Sequence, residues 1–99
     1  ALRVARQAAV SFKRGNDSRA FFIALDVLVH AHLESGKADL EEALYAAEEA
    51  LAIARELGMS RWMACVLHNI ARVQLARHEH GSALRALRES GKLFMDLDE

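Results

Sequence analysis

Five histidines and one cysteine are the side chains of this 99-residue chain best suited to binding a metal ion. His30 and His32 are two residues apart, and on a helix their side chains would point about 200° apart and could not share an ion. His78 and His80 lie near a predicted turn, where such a pair would chelate only weakly. No second cysteine and no carboxylate is spaced to complete a tetrahedral site with Cys65. We therefore expect no metal site.

The sequence offers one weak candidate for nucleophilic catalysis. Cys65 and His68 are one helical turn apart, a spacing that could pair a thiol with a base. Nothing around them has the pattern of a nucleophile turn, so we interpret Cys65 as a small residue that lines a groove. The paired glutamates at 41–42 and 48–49 fit the exposed face of an amphipathic helix. A glycine-rich phosphate loop is also absent from the sequence. Because the sequence shows no catalytic constellation, we expect no enzyme activity and no cofactor.

Composition and charge argue against nucleic acid and membrane as direct partners. The formal net charge is −1, so no global field attracts an anionic partner. Aromatic residues make up only 6%, so the basic stretches at 3–19 and 72–92 have few aromatic side chains on which RNA bases could stack. The most apolar stretch, at 20–33, is too short to span a bilayer. A single cysteine excludes an internal disulfide and suits a reducing compartment, so we expect a cytoplasmic protein.

Four breaks divide the chain into five segments with apolar residues at three- and four-residue spacing. They lie at Gly15–Ser18, Gly36–Asp39, Gly58–Ser60 and His78–Ser82. Each combines a residue that can end a helix in the left-handed conformation with candidate caps for the next helix. Asp39 followed by Glu42 is a variant of the capping box. Without proline or strand-like alternation, the sequence predicts an all-α protein whose short connections make neighbouring helices antiparallel.

The segments repeat one another at two independent sets of positions. Small residues on one face of the third segment correspond to residues 42 earlier and 40 later: Ala43, Ala47 and Ala50 match Ala1, Ala5 and Ala8, then Ala83, Leu87 and Ser90. Apolar residues of the second segment correspond to residues 42 later in the fourth: Leu25, Leu28 and Val29 match Leu67, Ile70 and Ala71. A period of about 40 residues predicts a helix-hairpin repeat.

These residues resemble the tetratricopeptide repeat (TPR) family. The segments at 67–73 and 83–90 are similar to a standard repeat, and the segment at 42–58 resembles the long variant found in kinesin light chains and large bacterial transcription regulators. The chain departs from the family at Leu25 and Leu67, where tryptophan or another large residue is usual. It departs again at His32 and Gln74, where an aromatic is usual, and in its missing proline.

The resemblance implies a particular architecture for the whole chain. Residues 1–99 would form one domain, a five-helix α-solenoid fragment that coils as a right-handed superhelix. Residues 1–17 would be the second helix of an incomplete repeat, and 18–58 and 60–99 would be two full repeats. Since the chain starts at Ala1 inside such a repeat, we expect it to be part of a longer protein.

In such a stack the first helix of each pair forms a concave inner wall. The resemblance implies that seven residues line this wall: Asp26, His30, Leu33, Cys65, His68, Asn69 and Arg72. An asparagine at the place of Asn69 holds the ligand backbone in family members that bind extended peptides, because its amide both donates and accepts. Arg72 could bind a ligand carboxylate. The alternative is that both are polar residues of a solvated face.

Two functions remain open. The first is a protein–protein interaction scaffold that binds a peptide or partner domain on its concave face within a larger regulatory protein. The second is homo-oligomerisation through exposed apolar helix faces. The first helix would lack a partner on one side, and Val10 and Phe12 would help to make that side adhesive. Neither function requires a cofactor.

Overall fold

The computed structural model describes residues 2–35 and 39–97, which form five α-helices. These are α1 (Leu2–Arg14), α2 (Ser18–Glu34), α3 (Leu40–Glu56), α4 (Ser60–Ala76) and α5 (His80–Leu97). The described ranges contain no β-strand. The predicted all-α class and the predicted number of helices are therefore confirmed.

Two aspartates cap helices where the sequence predicted caps. The side chain of Asp17 accepts a hydrogen bond of 3.1 Å from the amide of Ala20 at the start of α2. Asp39 accepts one of 3.0 Å from the amide of Glu42 at the start of α3. Each bond satisfies one of the amides that a helix start leaves without a partner. The predicted break residues 36–38 lie outside the described residues.

The other two helix starts differ from the prediction. Met59 occupies the cap position of α4 and makes no side-chain cap bond, so Ser60 is the first helical residue and not the cap. His78 adopts the left-handed conformation with φ of 64°, and α5 begins at His80. Gly81 therefore lies inside the helix. His78, and not Gly81, takes the left-handed conformation that ends the preceding helix, so the break lies closer to the N-terminus than predicted.

Each helix packs against the next in chain order, and α2 also contacts α4 directly. The short connections make successive helices antiparallel, so α2 and α4 run parallel. Among the described residues, ion pairs join α1 to α3 and α3 to α5. These are the ion pairs Arg6–Glu42 (2.7 Å), Lys13–Glu49 (3.3 Å) and Arg55–Glu89 (3.9 Å). The described chain measures 36 × 30 × 16 Å, a slab of helices.

The core follows the repeat positions. Ala43, Ala47 and Ala50 are at most 1% exposed, so α3 approaches its neighbours closely along this face. The leucine positions Leu25 and Leu67 are both buried, one in each repeat segment. Leu25 and Leu67 therefore both contribute to the core, whereas Leu87, the equivalent of Ala47 on α5, is 37% exposed.

A buried histidine ties the first three helices together. His32 is fully buried, its Nδ1 accepts a hydrogen bond of 3.2 Å from the backbone amide of Asp39, and its Nε2 bonds to the carboxylate of Glu42. Because an amide can only donate, Nδ1 must accept and the ring proton must sit on Nε2. Arg6 donates hydrogen bonds to the same carboxylate from Nε (3.0 Å) and Nη2 (2.7 Å). Hydrogen bonds from Arg6 and then His32 lower the pKa of Glu42 against the opposing effect of burial.

Candidate interaction surface

Three of the seven predicted wall residues meet where α2 packs against α4. The Nδ2 of Asn69 donates a hydrogen bond of 3.0 Å to Oδ1 of Asp26 and lies 3.4 Å from Nε2 of His30. The Nε2 of His30 lies 3.6 Å from the same Asp26 oxygen, one helical turn away on α2. Asn69 is 6% exposed, whereas the side chains of Asp26 and His30 are about one-third to two-fifths exposed. A buried amide therefore fixes two half-exposed polar groups.

The other predicted residues divide between surface and core. Cys65, His68 and Arg72 are exposed, and their three- and four-residue spacing places them in one row along α4. Leu33 is half-buried and packs against the core. We call the surface formed by Asp26, His30, Cys65, His68, Asn69 and Arg72 the α2–α4 face.

The geometry limits what the α2–α4 face can bind. One amide proton of Asn69 already satisfies Asp26, so this asparagine acts first as a structural link and a ligand would meet mainly the exposed side chains around it. Arg72 has no carboxylate within ion-pair distance in the described part of the chain. Its guanidinium can bind an acidic group, while the second oxygen of Asp26 can accept from a donor. The face thus presents both signs of charge.

A second surface is almost wholly apolar. A groove of about 550 Å³ runs between α1 and α2, and its lining residues are Val4, Ala5, Ala8, Phe12, Ile23, Ala24, Val27 and Ala31. We call it the α1–α2 groove. Phe12 was predicted to lie on an unpartnered face of α1 and does line it, whereas Val10 is exposed on another side of α1. The contribution of Ile23 and Val27 was missed. The signal in the sequence was that α2 is apolar around more than one face.

A smaller cavity of about 310 Å³ lies between α1 and α3 over Leu25 and Leu28. Its rim carries the ion pairs Arg6–Glu42 and Lys13–Glu49. These charges are already matched within the chain, so the cavity offers no free charge to a ligand. In the ranges that the structure describes, no three His, Cys, Asp or Glu side chains cluster closely enough to hold a metal ion.

No family model, no curated protein and no solved structure matches this chain. The resemblance to tetratricopeptide repeats therefore stands on the residue correspondences alone. None of the described helices is both long enough and apolar enough to cross a membrane.

Proposed function

We propose that this chain is a protein–protein interaction scaffold of the TPR type, within a larger cytoplasmic regulatory protein, that binds a peptide or partner domain on the α2–α4 face. The observation that carries the proposal is the row of exposed Cys65, His68 and Arg72 beside the Asp26–Asn69 hydrogen bond. Groups held in place before binding lose less conformational freedom when a partner arrives. This face therefore combines accessible side chains with a rigid base.

The arrangement of the helices supports the same proposal. α2 and α4 are parallel neighbours that share one side of the slab, while ion pairs join α1 to α3 and α3 to α5. Stacked helix pairs of this order would present the first helix of each pair to a ligand. Since the face carries the carboxylate of Asp26 and the guanidinium of Arg72, it suits a segment that contains both charges. It does not suit a clamp for a C-terminal carboxylate, which needs several donors together.

Selection from a peptide-display library against the intact chain would test this function. We expect selected peptides to lose about tenfold or more in affinity, or 1.4 kcal/mol, with Arg72→Glu, because the exposed guanidinium becomes a repelling carboxylate. His68→Ala should weaken them less. Arg88→Glu on α5 is the matched control, since it makes the same charge change on another exposed helix. Peptides that bind all three variants as tightly as the unmodified chain would rule out the α2–α4 face.

Self-association is a second candidate function, favoured by the outer surface of α5. Leu84, Leu87, Phe94 and Met95 are 37–73% exposed and share one side of this helix with Gly91. A Cβ built on Gly91 would meet no atom within 4 Å, so a second copy could approach the helix closely there. Light-scattering mass over a concentration series tests this use. A dimer that Leu87→Glu converts to monomer, while Tyr45→Glu leaves it intact, would support it; a monomer at every concentration would exclude it.

A further inference from the structure

The amide of Asn69 in the α2–α4 face is held by a carboxylate and by a histidine. Its Nδ2 carries two hydrogens. One is donated to Oδ1 of Asp26 at 3.0 Å, and the other is within reach of Nε2 of His30 at 3.4 Å. Because an amide nitrogen can only donate, Nε2 of His30 must accept, and the ring proton must sit on Nδ1. His30 can therefore keep this contact only while its imidazole is neutral.

Protonation of His30 would place a hydrogen on the ring atom that faces Asn69. Two N–H groups would then oppose each other, and His30 would need an acceptor where it now has a donor. Oδ1 of Asp26 lies 3.6 Å from Nε2, just beyond hydrogen-bond distance, on the preceding turn of α2. Since a bond from an imidazolium to a carboxylate is charge-assisted, a small rotation of the ring towards Asp26 is favourable.

We propose that protons regulate the α2–α4 face through an exchange of partners at His30. In neutral His30, Nε2 accepts from Asn69; in the protonated form, Nε2 donates to Asp26 and one amide hydrogen of Asn69 is released. Asn69 is 6% exposed, so little water reaches this hydrogen, and a carbonyl oxygen of the partner can satisfy it. The face then binds more tightly in acid. This inference rests on the function proposed for the α2–α4 face and adds its regulation.

Charges of both signs lie around His30. On α2, the carboxylates of Asp26 and Glu34 are each four residues away, one helical turn to either side. On α4, the guanidinium of Arg72 lies one turn beyond Asn69. An added proton therefore enters a field of mixed charge, and imidazole is the side chain whose charge ordinarily changes between about pH 5 and 8.

The other helices packed against α2 direct their charges to its opposite side. Arg6 of α1 and Glu42 of α3 bond to each other at His32, which lies about 200° around α2 from His30. His68, the second histidine of the α2–α4 face, is exposed on α4. His30 is therefore the histidine of this face whose protonation changes the hydrogen bonds of the buried amide.

Nuclear magnetic resonance of the intact chain between about pH 5 and 8 tests the exchange without any partner. We expect the side-chain amide signals of Asn69 to shift with the same midpoint as the imidazole nitrogens of His30. His30→Gln should abolish this response, because glutamine can accept a hydrogen bond across the whole range. His68→Gln, which removes an exposed histidine from the same face, should preserve it.

Three results of this titration would overturn the proposal. One is a neutral His30 with its proton on Nε2, because that atom could not then accept from Asn69. Another is an Asn69 amide whose signals stay constant while His30 gains its proton. The third is a pH response of Asn69 that survives His30→Gln.

Binding measurements then connect the exchange to the partner. Peptides without histidine, selected from a display library against the intact chain at about pH 5.5, should lose about tenfold in affinity at about pH 7.5, the effect of one hydrogen bond. His30→Gln should remove this loss, whereas His80→Gln, at an exposed position on α5, should keep it. Equal affinity at both pH values would mean that the exchange does not regulate the face. Failure to select any peptide would contradict the function proposed for the face, whereas the exchange itself is decided by the titration.

Discussion

At the scale of single residues, His32 is a fully buried polar side chain whose two ring nitrogens both need hydrogen-bond partners. Its ring is fully buried and has a partner on each nitrogen, the amide of Asp39 and the carboxylate of Glu42. We expect His32→Ala to lower the free energy of unfolding by about 2–4 kcal/mol, from the cavity and the two unsatisfied groups it leaves. Urea denaturation measures this loss. His68→Ala, an exposed histidine on α4, is the control and should change stability by about 0.5 kcal/mol or less.

The carboxylate of Glu42 gives the stability of this chain a pH dependence. Hydrogen bonds from Arg6 and His32 lower its pKa in the folded state, so the folded protein binds this proton less readily than the unfolded chain does. The resulting stabilisation is complete above the ordinary glutamate pKa of about 4.3 and is lost as the pH falls from there through the lower folded value.

We therefore expect Glu42→Gln to be less stable than the unmodified chain at pH 7, with the difference shrinking as the pH falls below about 4. Urea denaturation between neutral and acid pH measures it. Glu48→Gln, at an exposed position on the same helix, is the control and should follow the unmodified chain across the range. A Glu42→Gln deficit that is the same at both ends of the pH range would contradict the linkage.

The sequence could predict which helices carry the candidate residues but not how those residues pair. The 42-residue correspondence assigned Asp26 and Asn69 to helices that prove to be neighbours. Their hydrogen bond joins residues 43 apart in the chain and depends on the rotation of two helices about their axes. The role of His32 was missed for a similar reason. Its partners are a backbone amide and a shared carboxylate, and neither leaves a pattern in the sequence.

At the scale of helices, the ends were predictable where a side chain makes the cap. Asp17 and Asp39 accept from the amides three residues on, as aspartate at that position should. The cap residue of α4 and the start of α5 differ from the prediction because other residues can take the same backbone conformations. Met59 precedes α4 with φ of −98° and makes no side-chain cap bond, and His78 adopts the left-handed conformation in which glycine is usual.

Replacement of glycine by alanine should have opposite effects on the free energy of unfolding at Gly91, inside a helix, and at Gly58, at a helix end. Gly91 lies within α5, and a Cβ there would meet no atom within 4 Å. Gly91→Ala should therefore raise the free energy of unfolding by about 0.5–1 kcal/mol, because alanine loses less conformational freedom on entering a helix. Gly58 has φ of 66°, so Gly58→Ala should lower it by about 1–2 kcal/mol even though its surroundings are open.

Thermal or urea unfolding of both variants at low protein concentration tests this contrast. Low concentration matters because a second copy seated on α5 would crowd a new methyl group at Gly91. Destabilisation by Gly91→Ala that appears only at high concentration would point to the self-associated form. Destabilisation at every concentration would contradict the open environment at this position.

At the scale of the whole molecule, the repeat predicts the order of neighbours but not what stays uncovered. Ala46 of α3 is 3% exposed, whereas Val4, 42 residues earlier on α1, is 68% exposed. A local pattern cannot encode this difference, because burial depends on which helices pack nearby. The contacts run from each helix to the next, with the most extensive between α4 and α5. The free energy of local unfolding should therefore vary along the row of helices, because each helix is stabilised mainly by its immediate neighbours.

Hydrogen exchange on two matched variants tests this distribution. Ala5 in α1 and Ala83 in α5 are 5% and 0% exposed, and aspartate at either position would bury an unpaired charge. For Ala5→Asp we expect protection of α1 amides to fall by about tenfold or more, or 1.4 kcal/mol, with a smaller loss in α2 and little change in α5. Ala83→Asp should produce the opposite gradient, from α5 towards α1. Equal loss in all five helices for both variants would instead mean that the slab opens as one cooperative unit, and the helix row would then have no independent ends.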